Sequence, residues 1–213
     1  MVNIFNEVDE DIRKEKYKKL WGKYGKYLIG FILSIVVIFS LSQYFETKKI
    51  ADNQILLEIY FTAAENIEKN QFELANKDLD KVYNDKNLTL SAFSGFKLAE
   101  NHLKNNDKNQ AIVVLEKILN NNSLETIYRE LALYKYIMIN FDDMSVNDIE
   151  NKTKIIDTKD SELNPYFKEL LGIKYITMGD KNSALLIFNE LSSLEGTPLD
   201  LKIRLEKLTE IAS

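Results

Sequence analysis

The chain contains no cysteine. Disulfides, thiolate metal sites and thiol nucleophiles are therefore excluded, and the absence fits either side of a membrane. Histidine occurs once, at His102, so no serine has a choice of imidazole partners for nucleophilic catalysis. Glycine (7) and proline (2) are scarce among 213 residues, so structural punctuation is rare, which favours long helices over many short strands. The formal net charge is -5, and outside the first 26 residues no basic stripe appears, which argues against a nucleic-acid partner. Neither a GxxxxGK[ST] phosphate loop nor a GxGxxG turn is present.

What is present begins with a long apolar run. Residues 27–45 read YLIGFILSIVVIFSLSQYF, with no charged residue between Lys26 and Glu46. As a helix the run spans about 28 Å at 1.5 Å per residue, close to the roughly 30 Å of a bilayer's hydrocarbon core. Trp21, Tyr24 and Tyr27 stand at one end and Tyr44 and Phe45 at the other, as an interfacial belt requires. No clean small-x-small cleavage site follows, so the run is expected to be retained as an anchor. Arg13, Lys14, Lys16, Lys18, Lys19, Lys23 and Lys26 precede it, while only Lys48 and Lys49 follow closely. The positive-inside rule then predicts a cytoplasmic segment 1–26, a transmembrane helix 27–45 and a domain 46–213 across the membrane, which in a bacterium is the periplasm. Phe5, Val8 and Ile12 recur at helical spacing; the segment reads either as a surface-lying amphipathic helix or as a charged lead-in.

Beyond a linker helix the pattern becomes paired amphipathic helices: 54–69 with 71–83, 90–104 with 110–119, then 124–139, then 165–178 with 183–194. Pro165 suits a first helical turn, where its missing N–H costs nothing. Ala75, Ala111 and Ala184 open the second helices at intervals of 36 and 73 residues, the latter about two periods. Each is followed four residues later by Leu79, Leu115 or Phe188, and the first helices carry Ala63, Ala99, Ala132 and Gly172. Small residues let antiparallel helices approach, and large ones fill the groove. A helix–turn–helix period near 34 residues is the tetratricopeptide signature. Leu98, Ala99, His102, Ala111, Leu115 and Ile118 resemble one such repeat; Leu171, Gly172, Tyr175, Ala184, Phe188 and Leu191 resemble another. Both lack the usual tryptophan, with Gly95 and Lys168 in its place. The pair around Ala75 is weaker, and the partner of 124–139, residues 142–157, is degenerate. The expected fold is all-α: one N-terminal transmembrane helix followed by a tetratricopeptide-like solenoid of about four helix pairs.

The layout as a whole resembles the bacterial ancillary Sec-translocon subunit family, in particular its shorter alphaproteobacterial members. The N-terminal block carries the likeness, through Glu7, Val8, Asp9, Glu10, Arg13, Lys19, Leu20, Trp21, Tyr24 and Gly25. The resemblance implies an inner-membrane protein whose repeat domain faces the periplasm, with the export channel and a periplasmic chaperone as partners.

Nothing in the sequence assembles a catalytic set, so the expectation is a binding protein without enzymatic activity, cofactor or metal. His102 reads as a packing residue, and the acidic pair Asp142–Asp143 as part of a loop. Most aromatic residues are core candidates. Phe93, Phe96, Tyr128 and Lys135 are the residues expected to line the concave face, where a solenoid holds a peptide or helix. The leading expectation is a scaffold or co-chaperone at the export machinery, anchored in lipid through residues 27–45. The alternative is a scaffold for another envelope process, outer-membrane biogenesis or division, without translocon contact. A homo-oligomeric structural protein is a further reading, resting on Gly22, Gly25 and Gly30.

Overall fold

The computed structural model describes the backbone of residues 3–155 and 161–213, and the side chains of Lys18 and of the residues from Ser34 on within those ranges. Among the described residues the chain forms nine α-helices, one turn of 3-10 helix and no strand. They are α1 (Asn3–Glu68), α2 (Phe72–Tyr83), α3 (Leu88–Lys104), α4 (Lys108–Leu119) and α5 (Thr126–Asn140), then α6 (Val146–Thr153), α7 (Asn164–Thr177), α8 (Lys181–Ser193) and α9 (Leu199–Ala212). The 3-10 turn is Phe141–Asp143.

The chain divides into two compact units, Met1–Ile55 and Leu56–Ser213. The expected linker helix is no separate element. Between Gly30 and Glu68 there is neither glycine nor proline, and α1 runs without a break. In the first unit every described residue from Ser34 to Ile50 is exposed. The large apolar side chains from Ile35 to Phe45 stand 50–67 % exposed. Among the described residues no helix is long and apolar enough to cross a membrane. Residues 34–45 supply only about 18 Å of helix, and the side chains of 27–33 lie outside the described set. The side chains of the basic flank other than Lys18, of Trp21, Tyr24 and Tyr27, of Phe5, Val8 and Ile12, of the three glycines, and of the N-terminal block lie outside it as well.

In the second unit consecutive helices pack as hairpins. Three of the hairpin turns share one geometry. Asn70, Asn106 and Gly179 adopt left-handed backbone conformations, with φ of 59°, 58° and 83°. In each, the left-handed residue's N–H reaches the carbonyl three residues back, and the next N–H reaches five back (Gln71 to Asn66, Asp107 to His102, Asp180 to Tyr175, 2.8–2.9 Å). This double bond pattern closes a helix C-terminus around one residue that tolerates positive φ. These turns repeat at 36 and 73 residues, the same intervals as Ala75, Ala111 and Ala184. In two of the three the following helix is capped by a side chain: Asp107 accepts from the Gln110 N–H (3.2 Å) and Asp180 from the Ser183 N–H (3.1 Å), while Gln71 makes no cap bond. The third hairpin departs from the pattern. After α5 the 3-10 turn replaces the left-handed turn, and α6 lasts only eight residues, opened by a capping box between Ser145 and Asp148.

Burial follows the small-then-large pattern. Ala75 and Leu79, Ala111 and Leu115, Ala184 and Phe188 are all essentially buried. Each large side chain contributes about 1.5–3 kcal/mol through removal from water. The larger core runs from Ala63 and Ile67 of α1 through α2–α6 to Phe167 and Leu170 of α7. A smaller core joins Ala184, Phe188 and Leu191 of α8 to Leu201, Leu205 and Ala212 of α9. The helix α9 adds an element to the expected list; its buried side chains at 201, 205 and 212, with Leu208 partly buried, recur at helical spacing after Pro198.

Candidate protein-binding face

Of the four residues expected to line a binding face, Phe93 and Tyr128 are brought together. Phe93 leaves α3 and Tyr128 leaves the first turn of α5; their ring centroids lie 5.8 Å apart with planes at 73°, an edge-to-face contact. Phe93 remains 46 % exposed, whereas Tyr128 is half-buried against the larger core. Phe96 turns inward and packs partly buried on that core, so it serves the face chiefly as support. Lys135 is exposed on α5, seven residues after Tyr128, and has no ion-pair partner among the described residues. Seven residues are two helical turns, which puts the ammonium on the same stripe as Tyr128 and about 10 Å along the helix axis.

The 36-residue register extends this face to residues that inspection of single helices misses. Leu57 of α1 corresponds to Phe93 and is likewise exposed; Tyr60 corresponds to Phe96 and is likewise half-buried. The exposed Phe61 stands beside Tyr60 with ring centroids 5.7 Å apart. Applying the 73-residue interval instead puts Tyr166 at the place of Phe93 and Glu169 at the place of Phe96. Here the surface changes character. Glu169 is buried and holds Arg204 of α9 through two parallel bonds, Nε to Oε1 at 2.7 Å and Nη2 to Oε2 at 2.9 Å. The guanidinium lies 5.8 Å over the Tyr166 ring and also donates to Asp200 at 3.0 Å. The bonds to Glu169 raise the Arg204 pKa above its ordinary value, partial burial opposing them. The aromatic face is thus open on α1, α3 and α5 and covered by an ionic clasp on α7.

The charges around the open part are unevenly distributed. Glu100 is held between Lys97 (3.2 Å) and Lys104 (3.3 Å). Although burial acts to raise its pKa, the two ammonium groups hold it below the ordinary value. Together α3 and α5 carry Lys97, Lys104, Arg129 and Lys135 against Glu100 and Glu130, four positive charges against two negative, in a chain whose formal net charge is -5.

The chain matches the family described as "Protein of unknown function (DUF2659)" over residues 1–209. The chain belongs to this family. The match takes in the described helices α1–α8 and most of α9. No curated protein and no solved structure matches the chain.

The remaining sequence candidates have structural places. His102 lies in the last turn of α3, with Nδ1 3.9 Å from Asp107, the cap of the next helix. Asp143 lies in the 3-10 turn rather than an open loop and pairs with Lys108 at 2.9 Å. Among the described residues no group of three or more histidine or carboxylate side chains is placed to hold a metal ion.

Proposed function

We propose that the chain is a membrane-anchored protein-binding scaffold or co-chaperone of the cell envelope that works beside the protein-export channel. The observation that carries the reading is the helical surface from Ile35 to Phe45, apolar and exposed on every side. A surface of that kind needs lipid or other apolar partners around its whole circumference. Joined to residues 27–33, whose sequence is equally apolar, it reaches the length of a membrane span. The basic residues ahead of it favour a cytoplasmic N-terminus and a periplasmic domain.

The helical hairpins support a tetratricopeptide-like solenoid, with Phe93 and Tyr128 on the face that receives a protein segment. The likeness of the N-terminal block to the ancillary translocon subunits favours translocon subunits and a periplasmic chaperone as partners. Anchoring raises the effective concentration of the domain near its partners, so modest contacts suffice. In this reading the chain has no catalytic role and needs no cofactor. The second reading, a scaffold for outer-membrane biogenesis or division, shares the anchor and the face and differs only in partner.

Two experiments on the tagged full-length protein decide the matter. After an alkaline carbonate wash the protein is expected in the membrane pellet; release into the supernatant removes the anchor. In-cell crosslinking followed by mild solubilisation and mass spectrometry is expected to enrich translocon subunits and a periplasmic chaperone. Enrichment of a different envelope complex without them transfers the scaffold to the second reading.

A further inference from the structure

We infer that the face formed by α3 and α5 takes an acidic peptide segment that carries an apolar side chain about three residues from a carboxylate. The inference rests on the protein-binding reading above and names the chemistry of the partner.

Three observations define the occupant. The exposed Phe93 ring, fixed edge-to-face on Tyr128, offers a preordered apolar platform at one end of the stripe. The ammonium of Lys135, unpaired among the described residues, stands two turns further along α5. An extended chain advances about 3.3 Å per residue, so an apolar side chain on the platform places the third residue onward about 10 Å away, over that ammonium. The remaining charge favours the same sign of partner: the one glutamate exposed on these two helices, Glu100, is already shared by Lys97 and Lys104, and Glu130 is buried with the Ser161 hydroxyl donating to it at 2.6 Å. An acidic segment therefore meets net positive charge on the two helices, the exposed Glu125 that precedes α5 lying at the Tyr128 end of the stripe and ten residues from Lys135, whereas a basic segment meets the reverse balance.

The clasp sets where the face ends. At Tyr166 the equivalent apolar position is covered by Arg204, itself committed to Glu169 and Asp200. A segment running along the face stops short of α7.

The test uses three fluorescein-labelled twelve-residue peptides of serine, glycine and asparagine, each with one phenylalanine and, three residues on, aspartate, asparagine or lysine. Anisotropy is measured against the full-length protein in detergent. The aspartate peptide is expected to bind best. A Lys135→Glu variant, whose helicity is checked by circular dichroism, is expected to bind it about threefold to fivefold more weakly and to bind the lysine peptide better than wild type does, the scale of one exposed charge pair. Phe93→Ala is expected to weaken all three peptides together. Equal binding of the three peptides, or indifference of the aspartate peptide to Lys135→Glu, overturns the inference, as does binding of none. A photoreactive residue at position 128, crosslinked in cells, separates that failure from failure of the scaffold reading: capture of a translocon subunit or the chaperone there keeps the scaffold while the acidic-segment inference falls.

Discussion

The hairpins α3/α4 and α7/α8 are two solutions to one packing problem. Their turns superpose in hydrogen-bond pattern, and their residues correspond at a constant interval of 73: Asn106 with Gly179, Asp107 with Asp180, Ala111 with Ala184. Inside the hairpin the solutions diverge. Where α3/α4 sets Ala99 and Leu115 in the groove, α7/α8 sets Gly172 and Phe188: a smaller residue on one helix answers a larger one on the other. A Cβ on Gly172 would lie 2.3 Å from a Phe188 ring carbon. The buried polar residue also changes. Asn101 donates to the Phe72 carbonyl (3.2 Å) and to Asn76 (2.7 Å), tying α3 to the start of α2. Its counterpart Lys174 donates to the carbonyls of Phe141 (2.9 Å) and Asp142 (3.3 Å), tying α7 to the turn after α5. The preceding hairpin of α7 is the degenerate one with the shortened α6, and the long lysine side chain reaches a turn of different form. The repeat therefore conserves contacts rather than residue types: total volume and one backbone tie are kept, and the side chains that supply them vary.

The comparison can be broken most sharply at Phe188. Phe188→Ala is expected to cost about 3–5 kcal/mol, since the ring fills the space that Gly172 leaves open. Urea unfolding of the full-length chain in detergent reads this directly, and a loss below about 1 kcal/mol would mean that α7–α9 lacks a packed core. Next in size, Gly172→Ala is expected to destabilise by about 1–3 kcal/mol through overpacking. Gly95→Ala should be milder: its new Cβ meets the end of Ile118 and the ring edge of Tyr83 at 2.8 Å, against 2.3 Å at Gly172, and the gain in helix propensity offsets about 1 kcal/mol. Adding Phe188→Leu to Gly172→Ala recreates the α3/α4 solution, so a double-mutant cycle should show recovery; strict additivity would refute the volume exchange.

Asn101→Ala and Lys174→Met are expected to cost about 1 kcal/mol each, because each removes the donor of two part-buried hydrogen bonds. Hydrogen exchange should localise the first loss to α2 and α3 and the second to α5 and α7. Loss spread evenly in both variants would show that the two ties are not equivalent devices.

The smallest effect concerns acid. The Ser183 hydroxyl, then its N–H, hold Asp180 below its ordinary value of 3.8, and Ser145 does the same for Asp148. A carboxylate with a depressed folded value contributes its full stability above the unfolded value and loses it as pH falls through the folded one. Fraying at the starts of α6 and α8 is therefore expected only below pH 3.8. Asp180→Asn, which still caps, should remove that response at α8; hydrogen exchange between pH 5 and 3 shows whether it does.

The sequence by itself determined the all-helical class, most of the helix boundaries and the register of the repeat. Local chemistry settles these: scarce glycine and proline, apolar spacing of three and four, and an asparagine or glycine at each regular turn, followed at two of the three by a capping aspartate. It also named Phe93 and Tyr128 among the residues of an expected concave face, and the structure brings their two rings together. Only the tertiary structure decided that Phe96 turns inward and that α9 packs on α7 and α8. Only it showed that the acidic residue at the place of Phe96 is a buried clasp for Arg204, 35 residues away. Periodicity reports which face of a helix is apolar, but a long-range ion pair leaves no local trace. The partner's position depends on how helices distant in sequence are stacked, and that is a property of the packed core.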